Sequence, residues 1–368
     1  MTAEVLTGFR AGRWLRHKSA SPFHDVGWLT AMVSRLPGAV HTVVDDDRGV
    51  AFVAAVVEDP DGYEAYNPQA ILWRDPPVFE LADPAGRAAE LTGLGERPPA
   101  LPALVLVAPG YDGDPAGAGA DRAQDVAGCV ADVLTWCERA GLAGLHLLFT
   151  SRPAVAAAIT ALGGVSYPLS TRSVLPVWWD DWPGYLDGLP AKRRREVRRE
   201  RKLALTAMEL VSAPPDQYAD DVIDGRCALL RRYGQQADPG AERRRLTMLG
   251  DRFGDRLTVY GGLREGRLVA GCLCLAQGRT VQVLYSAVTE EGHRLPYAHF
   301  ATTYYAVVER VSRQTCAQID YGISHLSGKR SRGCSVRRLY GHALGVTAES
   351  GTALRTAAGL LSRYAQEV

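Results

Sequence analysis

A chain of 368 residues with 46% hydrophobic and 23% charged residues has the length of two ordinary domains and ample apolar material for a core, which excludes a disordered chain. Its formal net charge of +1 excludes a general nucleic-acid coat while leaving room for one local basic patch. Seven cysteines without a CxxC or paired Cys/His spacing show no zinc module, so no metal is expected, and the alternation of Cys272 and Cys274 in an apolar run reads as core.

The opening, MTAEVLTGFRAGRW, lacks the layout of a signal peptide, and no window reaches the roughly 18 apolar residues that cross a membrane, so a soluble, cytoplasmic chain is expected. HTVVDDDRGVAFVAAVVE (41–58) predicts two strands about an acidic turn at Asp45 to Asp47. ALVLVAP (103–109) predicts a buried strand, followed by a Gly/Asp/Pro loop. In 121–141, Val126, Cys129, Val130, Val133, Leu134 and Cys137 fall at helical spacing, with Asp121 as N-cap and Gly141 as stop. GLHLLFT (144–150) predicts a strand, AVAAAITALGG a helix, and YPLSTRSVLPVWW (167–179) a closing strand.

The domain boundary is expected near Asp180 to Asp187, giving domains 1–180 and 181–368. The second begins with a basic helix and AMELVSA, then helices near 217–234 and 241–253. RLTVYGGLR, RLVAGCLCLAQ and TVQVLYSAV predict three strands joined by EG and QGR hairpin turns. A helix over 298–314, the strand AQIDYG, the strand-like VRRLYGHALG and a last helix complete the chain.

The basic helix is the sharpest feature, with eight lysines and arginines among the eleven residues from Lys192 to Lys202. A solvated helix face is the ordinary reading of a charge run. Here Lys192, Arg194, Arg195, Arg198, Arg201 and Lys202 recur near i, i+3, i+4 spacing with only two glutamates between them. Self-repulsion at that density favours a partner that brings phosphate.

Helices, a three-strand meander, a helix and further strand follow the order of a GCN5-related N-acetyltransferase (GNAT) domain. HFATTYYAVVERVSRQTCAQIDYGISHLSGKRSRGC (299–334) resembles the Fem-type branch of that superfamily, the peptidoglycan-bridge aminoacyltransferases and their relatives. The matching pieces are Tyr304 and Tyr305 on a helix, Asp320-Tyr321-Gly322 ending a strand, and Lys329 to Gly333. SPFHDVGWLTAM (21–32) is similar to the start of the first domain in that group, and YLDGLPAKRRREVRRERKLAL to the helix opening its second.

The resemblance implies an α/β (α+β) fold of two GNAT-like domains, each a mixed, largely antiparallel sheet flanked by helices. It implies transfer of an acyl or aminoacyl group to an amine, with the acceptor on the first domain and the donor cleft in the second. Lys329 would hold a donor phosphate or the developing oxyanion, with Arg330 and Arg332 beside it. Asp320 would take or bind the amine proton, with Tyr285 and His299 as further catalytic candidates; His293 and His325 share the near-neutral pKa that suits the work. Ser286, Tyr305 and Tyr321, with Trp28 and Tyr111 in the first domain, would line substrate. No serine or cysteine nucleophile motif accompanies His299, which favours direct attack by the amine.

Two departures bear on substrates. The loop TEEGHRLPY (289–297) lacks the glycines on which acetyl-CoA users cradle pyrophosphate. No long heptad segment forms the helical arm common in cell-wall enzymes, which leans towards a specialised-metabolite or peptide acceptor. The expectation is therefore a monomeric N-acyltransferase without cofactor, taking its donor as aminoacyl-tRNA and its acceptor as a small-molecule or peptide amine. The alternatives are an acyl-CoA-dependent N-acyltransferase and a non-catalytic RNA-binding protein of the same fold.

Overall fold

In the computed structural model, which describes residues 2–74, 81–93, 100–323 and 326–365, the chain forms two units, Met1–Thr171 with Arg337–Val368, and Arg172–Val336. The first opens with β1 (Glu4–Thr7), α1 (Ala11–Trp14) and α2 (Val26–Met32), followed by the hairpin β2 (Ala39–Asp45) and β3 (Val50–Val57) about the expected acidic turn. Then come α3 (Pro68–Trp73), α4 (Pro84–Gly93), β4 (Ala103–Leu106), α5 (Ala123–Arg139), β5 (Gly144–Thr150), α6 (Pro153–Ala161) and β6 (Val165–Pro176). The periodic face of α5 is buried with Leu104, Leu106, Leu145 and Leu147 in one apolar cluster. Asp121 is not its cap: Arg122 occupies that position, and the Asp121 carboxylate pairs with Arg152.

The second unit continues with α7 (Trp182–Asp187), the basic helix α8 (Ala191–Leu205), β7 (Glu209–Ala213), α9 (Ala219–Arg232) and α10 (Pro239–Phe253). The meander β8 (Leu257–Arg264), β9 (Arg267–Gln277) and β10 (Thr280–Val288) follows. Glu265 and Gly266, at φ 52° and 79°, form the first hairpin turn, which suits two residues with left-handed backbone. Next come α11 (Glu290–Arg294), α12 (Ala298–Phe300), a π-helical turn (Ala301–Tyr305), α13 (Ala306–Arg310), β11 (Gln318–Ile323) and α14 (Leu326–Arg330). The helix expected over 298–314 thus stops at Arg310. Val311 is extended, and the Trp179 indole N–H is shared by the Val308 and Val311 carbonyls at 3.0 and 3.1 Å, closing the helix end.

The boundary expected near Asp180 falls instead at Thr171/Arg172, inside β6. From Arg337 onward the chain belongs to the first unit, because β12 (Ser335–Gly345) pairs antiparallel with β5, from Tyr340 opposite Thr150 to Gly345 opposite Gly144. The last helix, α15 (Ala348–Tyr364), begins with a Thr347–Ser350 capping box. Strand order in the first unit is β1-β2-β3-β4-β5-β12-β6, antiparallel except for β4 beside β5. In the second it is β6-β11-β10-β9-β8-β7, antiparallel except for β10 beside β11, with β6 contributing its Arg172–Pro176 end. Each unit is thus a mixed, largely antiparallel sheet with helices, as the sequence implies. All seven cysteines are buried as free thiols, and among the described residues no helix is long and apolar enough to cross a membrane.

Candidate active site

The parallel ladder between β10 and β11 is short. It pairs Thr280, Val281 and Gln282 with Gln318, Ile319 and Asp320, and ends there. Two local devices end it. On β10, a bulge between Val283 and Tyr285 re-aims the strand against β9. On β11, the Asp320 carboxylate accepts the Gly322 N–H at 2.7 Å, and Gly322 adopts φ 67°, a backbone that disfavours any side chain. Beyond Gln282 and Asp320 the β10 edge is therefore not laddered to β11.

Lys329 on α14 lies against the end of β11. Its buried ammonium donates to the carbonyls of Ile323 at 2.7 Å and Gly322 at 3.2 Å. Burial pushes its pKa down to about 8, with Cys334 and Asp320 acting in the opposite sense. Asp320 is also buried and, besides the Gly322 N–H, has the Arg172 guanidinium 3.7 Å away. Its carboxylate shapes the turn.

Tyr285 and Ser286 point to opposite faces of β10, as alternation requires. The half-buried Tyr285 ring lies between Arg245 of α10, at 4.7 Å, and Arg226 of α9, at 5.2 Å. Burial raises its phenol pKa, and the two arginines draw it back. The Ser286 hydroxyl lies 3.2 Å from that of Thr303, which lies 3.4 Å from Nδ1 of the exposed His299. These three residues form a polar track from the bulge to the surface.

Three assignments made from sequence are corrected by this packing. Arg332 is not a phosphate ligand: only 4% exposed, it donates from Nη2 to the Glu200 carboxylate at 2.6 Å and lies 3.7 Å over the Phe300 ring. Tyr305 does not line a substrate surface: it is fully buried, its hydroxyl donates to Glu200 and accepts from Arg332 Nε at 3.2 Å. Tyr321 is likewise buried, stacked on Tyr304 at 4.5 Å.

Helix α8 has two distinct faces. Val197, Glu200 and Ala204 are buried. Arg194 reaches back to the Asp187 carboxylate and the Asp187 and Leu189 carbonyls, each at 3.2 Å, and Arg201 pairs with Glu309 beneath the Trp182 ring. The outward face keeps Lys192, Arg195, Arg198 and Lys202, all exposed and making no ion pair among the described residues. Arg330 on α14 is also exposed.

In the first unit, Trp28 is core rather than pocket, its indole N–H donating to the Pro109 carbonyl at 2.6 Å. Tyr111 has φ 64° and packs edge-on against Phe149 at 5.1 Å, with its hydroxyl 2.8 Å from that of Tyr63. His325 lies outside the described residues. Among the described residues, no group of three or more His, Cys, Asp or Glu side chains gathers as metal ligands would.

A family model described as peptidoglycan biosynthesis/recognition matches residues 116–345. The chain belongs to the FemAB-like family. This FemAB-like chain shares its fold with the C-terminal domain of a putative lysylphosphatidylglycerol synthetase from Agrobacterium fabrum, at 10% identity over 97% of this chain and 98% of that one, TM-score 0.56. It also superposes on FemX, at 9% identity, 92% and 96% coverage and TM-score 0.54. L-PGS from Bacillus licheniformis gives 11%, 92% and 93%, and 0.52. Identities this low establish fold alone. No curated protein matches the chain. Family and fold together support an acyltransferase.

Glu200, Thr303, Arg172, Arg226 and Arg245 are the site residues that sequence reasoning missed. Only Glu200 carried a signal: it falls three residues after Val197 and four before Ala204, on the one apolar stripe of α8. The others depend on which strand or helix lies opposite.

Proposed function

We propose that this FemAB-like protein transfers an aminoacyl group from aminoacyl-tRNA to an amine of a small molecule or peptide. The observation that carries the reading is the outward stripe of Lys192, Arg195, Arg198 and Lys202, exposed and without an ion pair among the described residues. At 1.5 Å per residue it runs for about 15 Å, long enough to follow several phosphates of one strand. The acyl-CoA alternative is disfavoured by Glu290 and Glu291 in the first turn of α11, which bring negative charge to the segment where a pyrophosphate would approach.

The aminoacyl ester is already activated, so the protein needs mainly to position it and to meet developing charge. The acceptor nitrogen attacks the ester carbonyl carbon. The tetrahedral oxyanion is met by the remaining N–H of the Lys329 ammonium or by backbone N–H groups near the β10 bulge. The bond from carbon to ribose oxygen then breaks, leaving the amide and a ribose hydroxyl. The proton lost by the amine passes through Ser286 and Thr303 to His299 and is returned along the same track to the departing oxygen, or goes to that oxygen directly. Asp320 keeps the strand end in shape.

The test is filter binding of total aminoacyl-tRNA at about 50 and about 200 mM salt, repeated with excess CoA. Binding that falls steeply with salt and ignores CoA supports the tRNA donor; absent binding, or displacement by micromolar CoA, overturns it.

A further inference from the structure

Three buried side chains join the phosphate-facing helix to the lysine segment. Glu200 projects from the inner face of α8, opposite the exposed stripe. Its carboxylate takes the Arg332 Nη2 hydrogen bond and the Tyr305 hydroxyl, the latter from the π-helical turn. Arg332 then turns back on α14: its Nη1 donates to the Gly328 carbonyl at 2.8 Å and to the Ser331 hydroxyl at 2.9 Å, and its own carbonyl accepts the Tyr185 hydroxyl at 3.0 Å. Gly328 immediately precedes Lys329, whose ammonium is fixed to the carbonyls of Gly322 and Ile323. A continuous path of hydrogen bonds and one peptide link thus runs from α8 through Glu200, Arg332 and Gly328 to Lys329.

We propose that Glu200, Tyr305 and Arg332 are positioning residues that fix the Lys329 ammonium and carry the occupancy of the α8 stripe to it. The second half rests on α8 taking tRNA phosphate. A buried ion pair is a weak contributor to stability compared with apolar packing, and a register or switch role is its best-attested use. Here one partner sits on the helix whose outer face is exposed, and the other lies in the turn after α14, bonded back to the Gly328 carbonyl beside the lysine. A helix loaded with phosphate on that outer face shifts as a body, and Glu200 is its buried grip on the remainder of the unit.

The chain has four lysines, Lys18, Lys192, Lys202 and Lys329, and only Lys329 is buried. Competitive acetylation with acetic anhydride, read by peptide mass spectrometry, therefore follows Lys329 against Lys18 as internal reference. In the free protein, Tyr305→Phe, which keeps both charges, and Glu200→Gln should each raise Lys329 labelling by about tenfold, because a buried amine is reached through local opening. Unchanged Lys329 labelling in Tyr305→Phe would overturn the positioning role, and Tyr305→Phe decides if Glu200→Gln unfolds. Deacylated total tRNA added to the wild type should change Lys329 labelling, and that response should vanish in Tyr305→Phe while tRNA binding persists. A response that survives in the variant, or none in a wild type that binds tRNA, overturns the transmission. If tRNA does not bind at all, the α8 reading and the transmission fail together, and the free-protein result still decides positioning.

Discussion

Replacing Arg195 and Arg198 together by alanine tests the α8 reading quantitatively. Both side chains are exposed and form no ion pair among the described residues, so each can displace a counterion from a phosphate. Each phosphate contact contributes roughly 0.7–0.9 to the slope of log affinity against log salt, so the double variant should flatten that slope by roughly 1.4–1.8. Between about 50 and about 200 mM salt this means that the wild-type loss of affinity exceeds that of the variant by roughly 7–12-fold. Alanine is the better helix former, so α8 should persist, which circular dichroism checks. Arg194→Ala/Arg201→Ala is the matched control. Those guanidiniums are held by Asp187, Leu189 and Glu309, and their loss should affect stability more than slope. Filter binding of total tRNA across a salt series reads both. An unchanged slope in the first variant, or equal flattening by the control, would refute the assignment of faces.

The other predictions concern the same unit. Glu200→Ala leaves Arg332 charged and buried, and should cost about 3–5 kcal/mol in urea unfolding, whereas the apolar double change Glu200→Leu/Arg332→Met should recover most of that loss. Lys329 titrates near 8 when folded and at 10.5 when unfolded, so between those values the unfolded chain holds the extra proton and stability should rise with pH. The difference between wild type and Lys329→Met, measured by thermal melts from pH 7 to pH 11, should show that rise, and a flat difference would exclude the depressed pKa. Gly322→Ala forces a side chain into left-handed backbone and should lower stability by about 1–2 kcal/mol, measured by urea unfolding.

Much of the fold was legible from spacing alone. The strands β2, β3, β8, β9 and β10 announce themselves by short apolar runs between turn residues, and α5 by its buried period of Val126, Cys129, Val130, Val133 and Cys137. Pairings remote in sequence left no such mark. Nothing local in VRRLYGHALG tells it to sit beside β5 and to return the C-terminal residues to the first unit. The site divides in the same way. Lys329 and Asp320 were singled out from a motif at the end of a strand, and the structure brings them together there, but the chemistry of an arginine does not declare its partner. Arg330 and Arg332, two residues apart, read alike in sequence; one is exposed and the other is buried on Glu200. A charge run announces a surface only until one asks which of its members the helix period turns inward.

The two units treat their one parallel strand pair differently, and this bears on where the chemistry belongs. In the first unit, β4 and β5 pair from Ala103 opposite Gly144 to Leu106 opposite Leu147. The chain leaving β4 then folds back, with Ala108 bridged to Asp112, and Gly113 donates its N–H to the Phe149 carbonyl at 3.3 Å. A Cβ at Gly113 would lie 2.0 Å from the Leu148 carbonyl oxygen and 3.2 Å from that of Leu106, so bare backbone occupies the ends of both strands. Tyr111 and Phe149 both accept left-handed backbone beside that insertion, at φ 64° and 63°. In the second unit the β10–β11 ladder ends at a bulge and an Asp320–Gly322 turn, with Lys329 held against the strand end. One unit thus uses the divergence of its parallel strands for its own chain, and the other furnishes it with a fixed cation and a polar track. That asymmetry is why the proposed reaction is drawn on the second unit: its strand ends stay furnished with side chains, where those of the first are filled by its own backbone.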